Sequence, residues 1–395
     1  GFFLLFALFI FPNKEALECR QISESLAGWL PPGFKGLIGM VRYWHFGLFY
    51  VFSELWSTML MSILLWGYVN ETSSLDQAGR FYSLFMVAIN IGTFLAGNLG
   101  YYFSNLPVIL GTDPWQQSGY LILGVVLLCC ALILLLRFRL AILTDIPATI
   151  PSSPVSKASI SFKDCFFALR QSRHLSLIAV IVVSYSVVFN LVDVTWQQQL
   201  GVYFGSDTNG LNKFMSQITM INGAVAVFLG VFVSGRVIRK FGWRFAALLT
   251  PVLLLLSSFI FFPFVIEKGT VPYLAGGVVL SPLLLSVYIG AVQNCLTRAC
   301  KYTFFDTSKE MAFIPLPKMS QRQGKAVIDG VVSRVGKSGG SFLFQILLVV
   351  FSGVIEAVPV VAGIVLAVVV FWIYSVQSLS KELEDEEDKP TSDFD

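Results

Sequence analysis

Long apolar runs recur along almost the whole chain, and they constrain its fold more than any other feature of the sequence. A run of about 20 apolar residues can cross the hydrocarbon core of a bilayer as an α-helix. Lipid offers no hydrogen bonds to an open backbone, so helices are the structure that such runs predict. We therefore predict an all-α membrane protein with many spans. A shorter run covers 1–12, and nine fuller runs follow at 46–69, 81–110, 118–136, 175–196, 213–235, 244–266, 271–296, 326–351 and 355–378.

The overall composition agrees with a membrane protein and argues against several functional classes. Hydrophobic residues make up 55% of the chain and charged residues 13%, whereas a soluble domain carries about 25% charged residues. The net charge of +3 is too small to indicate a nucleic-acid partner. The two histidines and the six scattered cysteines favour neither a zinc site nor a histidine-based catalytic triad. We expect no metal, no cofactor and no enzymatic activity, and we identify no protein partner.

Lys and Arg are distributed unevenly between alternate connections. The connections at 70–80, 137–173, 235–244, 297–325 and 379–395 hold 19 of these residues, whereas those at 104–117, 197–213, 267–270 and 352–354 hold 2. Positively charged connections normally face the cytoplasm. The count therefore predicts that the central loop 137–173 and the acidic tail 379–395 are cytoplasmic. The central loop separates a partial N-terminal half, 1–136, from a six-helix half, 174–378.

This organisation predicts a six-plus-six helical bundle of the major facilitator type, in which two repeated halves flank a central site. The short basic hairpin at 235–244, GRVIRKFGWR, resembles the connection between the second and third helices of such a half. The chain starts with Gly1 rather than Met, inside an apolar run. We expect an N-terminally truncated sequence in which 1–136 covers the end of helix 3 to helix 6.

Lys337 lies in the middle of the apolar stretch 326–351. An ionisable group at membrane depth costs at least about 2.5–3.5 kcal/mol on insertion scales, so it normally faces a bundle interior or a water-filled path. Lys337 lies too deep for its side chain to reach either surface easily, and we predict a functional site there. Asp329, Ser333 and Lys337 share one drifting helical face. Arg334 either extends toward the cytoplasmic end or pairs with Asp329.

Two carboxylates also lie in predicted spans. Glu54 occupies an otherwise uncharged span, and Asp193 lies close to one end of another. Each is either a substrate, gating or proton site, or a polar group that hydrogen-bonds to a neighbouring helix. Water reaches the end of a span more readily than its centre, so the structural alternative is stronger for Asp193 than for Glu54.

The sequence GKSGGS around Lys337 suggests a phosphate-binding loop, but its spacing excludes one. That motif needs four residues between its first Gly and the GK pair, whereas Gly330 and Gly336 enclose five. Gly336 and Gly340 instead form a GxxxG pattern, which lets another helix approach closely. We predict that both glycines serve helix packing.

The connection 297–325 contains charges of both signs, among them Lys301, and two prolines near its centre. We interpret it as an amphipathic cytoplasmic segment. Two roles remain open for it: a gate that closes the inner mouth of a transporter through ion pairs, or a solvated connector between two spans.

Several longer strings carry a resemblance to a known family. The chain is similar to the nucleotide transporters of plastids and of obligate intracellular bacteria such as chlamydiae and rickettsiae, also called ATP/ADP translocases. The similarity extends in order over nearly the whole chain. The strings are FYVFSELW (49–56), LLWGYVNE (64–71), RFYSLF (80–85), NLVDVTW (190–196), GAVQN (290–294), KYTFFDTSKEMAFIPL (301–316) and GKAVIDGVVSRVGKSGGS (324–341).

The resemblance implies roles for individual residues. Glu54 matches the family's glutamate in SELWG, and Lys337 matches the lysine of GKSGGS; both are associated with substrate handling in the family. Asp193 takes the place of the glutamate in the family string LVEVTWK, and Gln197 takes the place of its lysine. Arg334 is a further substrate-binding candidate, and Asp329, Gln197 and Lys301 are candidates for gating or coupling.

The resemblance also implies an activity, with nucleotides as substrates. We expect an ATP/ADP exchanger that works by alternating access in a bilayer, most simply in a bacterial inner membrane. Glu54 and Asp193 would engage the ribose or base of the bound nucleotide, or would pair with Lys337 in the empty carrier. The change at Gln197 removes one cation, so a proton-coupled nucleotide symporter or a carrier for another nucleotide stays open. A multispan membrane enzyme and a nucleotide sensor without transport are the further alternatives.

Overall fold

The chain forms two compact units. The first contains Gly1–Lys157 and Thr208–Met220, and the second contains Ala158–Asp207 and Ile221–Asp395. The computed structural model describes residues 2–58, 75–109, 113–143, 169, 172–267, 273–275, 278–351 and 353–387. Most of the predicted central loop, the end of the predicted span 46–69 and the last residues of the predicted tail lie outside these described residues.

The first unit is helical. A short helix α1 continues into a π-helical turn, Phe6–Ile10, and a 3-10 turn, Pro32–Phe34, separates two further short helices. Three longer helices follow. The helices are α1 (Phe2–Leu5), α2 (Arg20–Trp29), α3 (Lys35–Arg42), α4 (Trp44–Thr58), α5 (Leu75–Asn105) and α6 (Pro114–Leu143).

The second unit begins at α7 and contains the remaining helices, apart from the first part of α8, which belongs to the first unit. Two π-helical turns, Lys301–Phe305 and Ile328–Val332, lie between consecutive helices. The helices are α7 (Arg173–Phe204), α8 (Thr208–Phe232), α9 (Ser234–Ile266), α10 (Pro282–Cys300), α11 (Asp306–Ala312), α12 (Lys318–Val327), α13 (Ser333–Phe351) and α14 (Val354–Glu387).

The predicted class, a polytopic all-α membrane protein, is confirmed. Within the described residues, seven helical stretches are long and apolar enough to cross a membrane. Each overlaps one of the runs predicted from the sequence. They are Pro114–Leu135, Arg173–Phe204, Thr208–Phe232, Arg236–Ile266, Pro282–Ala312, Gln323–Phe351 and Val354–Glu384.

The predicted span 271–296 was wrong at both ends. Its first residues form an antiparallel hairpin, in which strand β1 (Tyr273–Ala275) pairs with strand β2 (Val278–Leu280). The helix begins only at Pro282, where the Ser281 side chain accepts a hydrogen bond from the backbone N–H of Leu284 at 3.1 Å. Two glycines separate the strands in the sequence, and glycine pairs favour tight hairpin connections. The apolar run therefore contained a turn signal that a count of hydrophobic residues does not register.

The C-terminal end of the same span also differs from the prediction, because the helix does not stop at residue 296. It continues through the π-helical turn into α11 and ends at Ala312. Lys301 therefore lies on a helix rather than in a solvated connector. It forms an ion pair with Asp306 at 2.9 Å and lies over the ring of Tyr302, so local partners satisfy the charge while the backbone stays helical.

The last helix also runs beyond its predicted end at residue 378. It continues to Glu387 and takes in most of the acidic run. The first acidic residues have partners: Ser380 donates a hydrogen bond to Glu384 at 3.1 Å, and Glu382 pairs with Arg173 at 2.9 Å. Glutamate and lysine are good helix formers, so this polar segment extends the helix instead of forming a separate tail.

A basic connection joins α8 to the apolar part of α9, as the sequence predicts. Gly242 interrupts α9 with a φ of 79°, in the left-handed region that glycine adopts without a steric penalty. Trp243, the next residue, donates a hydrogen bond to the carbonyl of Ser308 at 2.8 Å. The chain thus changes direction at Gly242, and the Trp243 hydrogen bond joins the start of the span to α11.

Aromatic side chains form the centre of the second unit around α7. Tyr185 stacks on Phe305 with ring centroids 4.5 Å apart, and both rings meet Trp372 of α14 edge-on. Trp196 is buried and donates a hydrogen bond to the carbonyl of Val287 at 2.9 Å. Gly290 makes room for its indole, since a Cβ there would overlap the ring. These contacts hold α7 against α10 and α14. They thereby also fix the positions of the polar residues on α7.

Candidate functional site

A polar stripe crosses the otherwise apolar helix α7. Asn190, Asp193 and Gln197 recur at intervals of three and four residues, which places them on one face of the helix. Gln197 is exposed, and Asp193 and Asn190 are half-buried. The Gln197 side chain donates a hydrogen bond to Asp193 Oδ2 at 2.7 Å. The two predicted residues of this stripe, Asp193 and Gln197, are therefore in direct contact.

Helix α10 completes the hydrogen bonds of Asp193. Asn294 Nδ2 donates to Asp193 Oδ1 at 2.7 Å, and Arg298 Nε donates to Asn294 Oδ1 at 2.8 Å. The guanidinium of Arg298 also lies over the ring of Phe189, 5.3 Å from its centroid. A continuous chain of polar contacts thus runs from Gln197 through Asp193 and Asn294 to Arg298. We call these four residues the polar relay.

Asn294 and Arg298 are residues of this site that were not predicted from the sequence. The apolar run was judged to end at 296, so Arg298 was assigned to a cytoplasmic connection. A usable signal was present, because an amide and a cation four residues apart face the same side of a helix. The extension of the helix to Ala312 is what brings Arg298 inside a span.

Helix α13 packs closely on α7 through its GxxxG glycines, as predicted. A Cβ at Gly336 would lie 2.7 Å from Ser186 Cβ, and a Cβ at Gly340 would lie 3.1 Å from Asn190 Cβ. Ser341 donates a hydrogen bond to Asn190 Oδ1 at 3.2 Å. Residue numbers rise together along both helices at these contacts, so α13 runs parallel to α7.

The register of these contacts places two cations at the same level. Lys337 follows Gly336 and therefore lies beside the turn of α7 that begins at Ser186. Arg298 lies beside the same turn, over Phe189. Both side chains are exposed within the unit. Cations at this depth of a membrane span require a wet surface or a polar ligand, so this part of the second unit is the candidate functional site.

Lys337 makes no hydrogen bond or ion pair with any residue that the structure describes. One of the two alternatives for Asp193, a pairing with Lys337 in the empty state, is not among the contacts described for this conformation. Asp193 is occupied by two amide side chains instead. The amine of Lys337 is left available to a ligand.

Of the two alternatives left open for Arg334, the ion pair with Asp329 is not among the described contacts, because Asp329 has another partner. Asp329 accepts a hydrogen bond from Lys309 at 2.6 Å, and Lys309 also lies 3.6 Å from Glu310. Arg334 is exposed on the next turn of the helix. Asp329 and Lys309 thus belong to an ion cluster that joins α11 to the π-helical turn before α13. Its role in gating stays a prediction.

Glu54 lies on α4 of the first unit, where it is exposed. It makes no hydrogen bond or ion pair with the residues described there. Its part in substrate handling stays a prediction that rests on the family resemblance.

Comparison with known proteins places the chain in a family. The sequence model of the TLC ATP/ADP transporter family matches residues 1–383. The chain belongs to this family. It is 39% identical to ADP,ATP carrier protein 2 of Chlamydia pneumoniae over 97% of its own length and 74% of that carrier. It is 33% identical to the chloroplastic ADP,ATP carrier protein 1 of Arabidopsis thaliana, over 99% of its own length and 64% of that carrier.

Membership in the TLC ATP/ADP transporter family confirms the resemblance drawn from the strings around Glu54, Asp193 and Lys337. It also confirms that this protein is a multi-pass membrane transporter and not an enzyme. No solved structure matches the chain.

Proposed function

We propose that this transporter exchanges nucleotides across a membrane, importing ATP against ADP by alternating access. The names of its relatives support this substrate pair, since the chlamydial and plastid proteins are ADP,ATP carriers. A carrier with this task needs a site that attracts phosphate groups and can open to either side of the bilayer.

One observation carries the proposal. Lys337 is an exposed cation near the middle of a membrane span and has no anionic partner among the described residues. A lysine ammonium is a compact donor of three hydrogen bonds and binds phosphate as a point charge. An anionic substrate would offset the cost of holding this charge at membrane depth. We infer that Lys337 contacts phosphate oxygens of the bound nucleotide.

The carboxylates have a different task in this scheme. Asp193 repels phosphate, and its two amide partners hold it in place on the stripe. It would engage ribose hydroxyls or the base. A part for Glu54 in substrate handling is proposed from the family resemblance alone. In an exchanger the empty site reorients slowly, so that one nucleotide enters only as another leaves. We place the carrier in a bacterial inner membrane, surrounded by lipid, with the C-terminal end of α14 in the cytoplasm, as the Lys and Arg distribution predicts.

Uptake of labelled ATP by cells that express the complete reading frame tests this proposal. The cells are preloaded with ADP or left unloaded, and each set is assayed with and without a proton uncoupler. Exchange predicts uptake that requires internal ADP and is insensitive to the uncoupler. Uptake without a counter-substrate that collapses with the uncoupler would show proton symport instead. No nucleotide uptake above that of vector-only cells would refute nucleotide transport.

A further inference from the structure

Arg298 is held in a fixed position by groups that do not neutralise it. Its Nε donates to the amide oxygen of Asn294 at 2.8 Å, and its Cζ lies 5.3 Å from the centroid of the Phe189 ring. Both partners are uncharged. The amide oxygen that accepts from Nε occupies one edge of the guanidinium. The two terminal amino groups form another edge, and this edge can donate to two oxygens of one phosphate.

We propose that Arg298 is a second phosphate-binding residue of the transport site, which acts beside Lys337. This inference rests on the proposed nucleotide transport and adds a residue to it. Arg298 and Lys337 flank the same turn of α7 from two different helices, α10 and α13. A polyphosphate that lies across this turn would therefore meet a planar fork on one side and a point charge on the other.

The polar relay explains why the charge of Arg298 stays available. Asp193 is the nearest carboxylate along the relay, and Asn294 stands between it and Arg298. The other oxygen of Asp193 is taken by Gln197, which is neutral where the resemblance leads one to expect a lysine. Both carboxylate oxygens of Asp193 thus accept hydrogen bonds from neutral amides, and no cation is needed as their partner. Its negative charge still lies near Arg298 and helps to keep the guanidinium in its place when no nucleotide is bound.

Binding of ATP, ADP and AMP to the complete carrier tests the role of Arg298. Each nucleotide competes against labelled ATP in membranes that contain wild type, Arg298→Gln, Arg298→Lys or Asn294→Ala. The matched control is Lys240→Gln, which removes an exposed cation that lies over Phe241 on α9, away from the stripe. Protein reaching the membrane and its apparent melting temperature are measured for every variant.

The expected result depends on the number of phosphates. Loss of a charge-assisted hydrogen bond weakens binding by about 10- to 100-fold, so Arg298→Gln should lose this much affinity for ATP and ADP and clearly less for AMP. Arg298→Lys keeps the charge and should lose less than Arg298→Gln. Asn294→Ala releases the guanidinium and should fall between wild type and Arg298→Gln.

Two results would overturn the inference. The first is an Arg298→Gln carrier whose affinities match those of Lys240→Gln for all three nucleotides. The second is an equal loss for ATP, ADP and AMP, which indicates a structural role. If Arg298→Gln fails to reach the membrane, the ratio of ATP to AMP affinity in Arg298→Lys decides, and a ratio equal to wild type counts against the proposal. A wild type that binds and transports no nucleotide refutes the proposed function itself, so the two failures are distinguishable.

Discussion

Replacing Gly336 with alanine tests whether the close approach of α13 to α7 positions the cation at Lys337. An added Cβ would lie 2.7 Å from Ser186 Cβ and 3.4 Å from Val183 Cα. Carbon atoms normally approach each other to about 3.5–4.0 Å, so the two helices must separate by several tenths of an ångström or more. Overpacking of this kind costs about 1–3 kcal/mol, which exceeds the gain of up to about 1 kcal/mol in helix propensity from Gly to Ala.

Gly339 is the matched control for this substitution. It lies on the same helix, it is exposed, and a Cβ there meets nothing within 4 Å. Gly339→Ala should therefore raise the apparent melting temperature slightly or leave it unchanged, whereas Gly336→Ala should lower it. Gly336→Ala should also reduce nucleotide affinity, because the added Cβ separates α13, which carries Lys337, from α7.

A compensating change sharpens the test. Ser186 supplies the atoms that clash, and its hydroxyl bonds only to the carbonyl of Val182 within its own helix. Removing that side chain leaves Val183 Cα as the nearest neighbour, at an ordinary contact distance. The double variant Gly336→Ala, Ser186→Gly should therefore lose less free energy of unfolding than the two single variants lose when their losses are added. The difference, the coupling energy, should be about 0.5–3 kcal/mol. Equal melting temperatures for Gly336→Ala and Gly339→Ala, or strictly additive effects, would refute this packing argument.

Three further substitutions address separate parts of the molecule. Lys337→Gln should nearly abolish nucleotide uptake without reducing the amount of carrier in the membrane, and unchanged uptake would exclude phosphate contact by Lys337. Glu54→Gln should lower the turnover rate; a variant with the normal rate and pH response would assign Glu54 to packing. Lys309→Met should lower the apparent melting temperature, because it leaves Asp329 without its 2.6 Å partner, and Asp329→Asn in the same chain should recover part of the loss.

Sequence reasoning predicted the membrane spans well because lipid imposes one simple condition on them. Apolar length decides whether a helix can cross, and that property is local in sequence. The ends of the helices were predicted less well. Hydrogen-bonding and ion-pair partners from other helices decide where a polar segment stays helical, as Glu382 with Arg173 shows in the last helix. The strands of the hairpin at 273–280 were missed because their residues are as apolar as those of a span.

The short helices α2 and α3 were missed for a related reason. They lie between two apolar runs, in a segment of mixed polarity that contains no long apolar stretch. Large apolar side chains such as Trp29, 90% exposed, and Met40, 64% exposed, lie on their surfaces. Cys19 donates a backbone hydrogen bond to the carbonyl of Arg42 at 3.1 Å, and Arg42 pairs with Glu18. These contacts join the ends of the segment, and no local pattern in the sequence indicates them.

The residues of the candidate site also differ in how far the sequence predicts them. Lys337 and Asp193 could be found from the sequence, because a charge inside an apolar run is costly wherever its partners lie. Their partners could not be found, because packing between helices selects them. The same fact explains why two pairings that the sequence left open, Asp193 with Lys337 and Asp329 with Arg334, are not among the described contacts. A sequence shows only that two charges are opposite and could attract each other. In the fold, Asp193 is hydrogen-bonded by two amide side chains and Asp329 by Lys309.

Amide partners for Asp193 have a consequence for transport. A direct ion pair between Asp193 and a cation of the site would have to break each time a phosphate bound. Asn294 and Gln197 satisfy both carboxylate oxygens and consume no positive charge. Arg298 and Lys337 therefore meet an incoming phosphate without first losing a carboxylate. The relay also bridges α7 and α10, because Asn294 of α10 donates to Asp193 of α7.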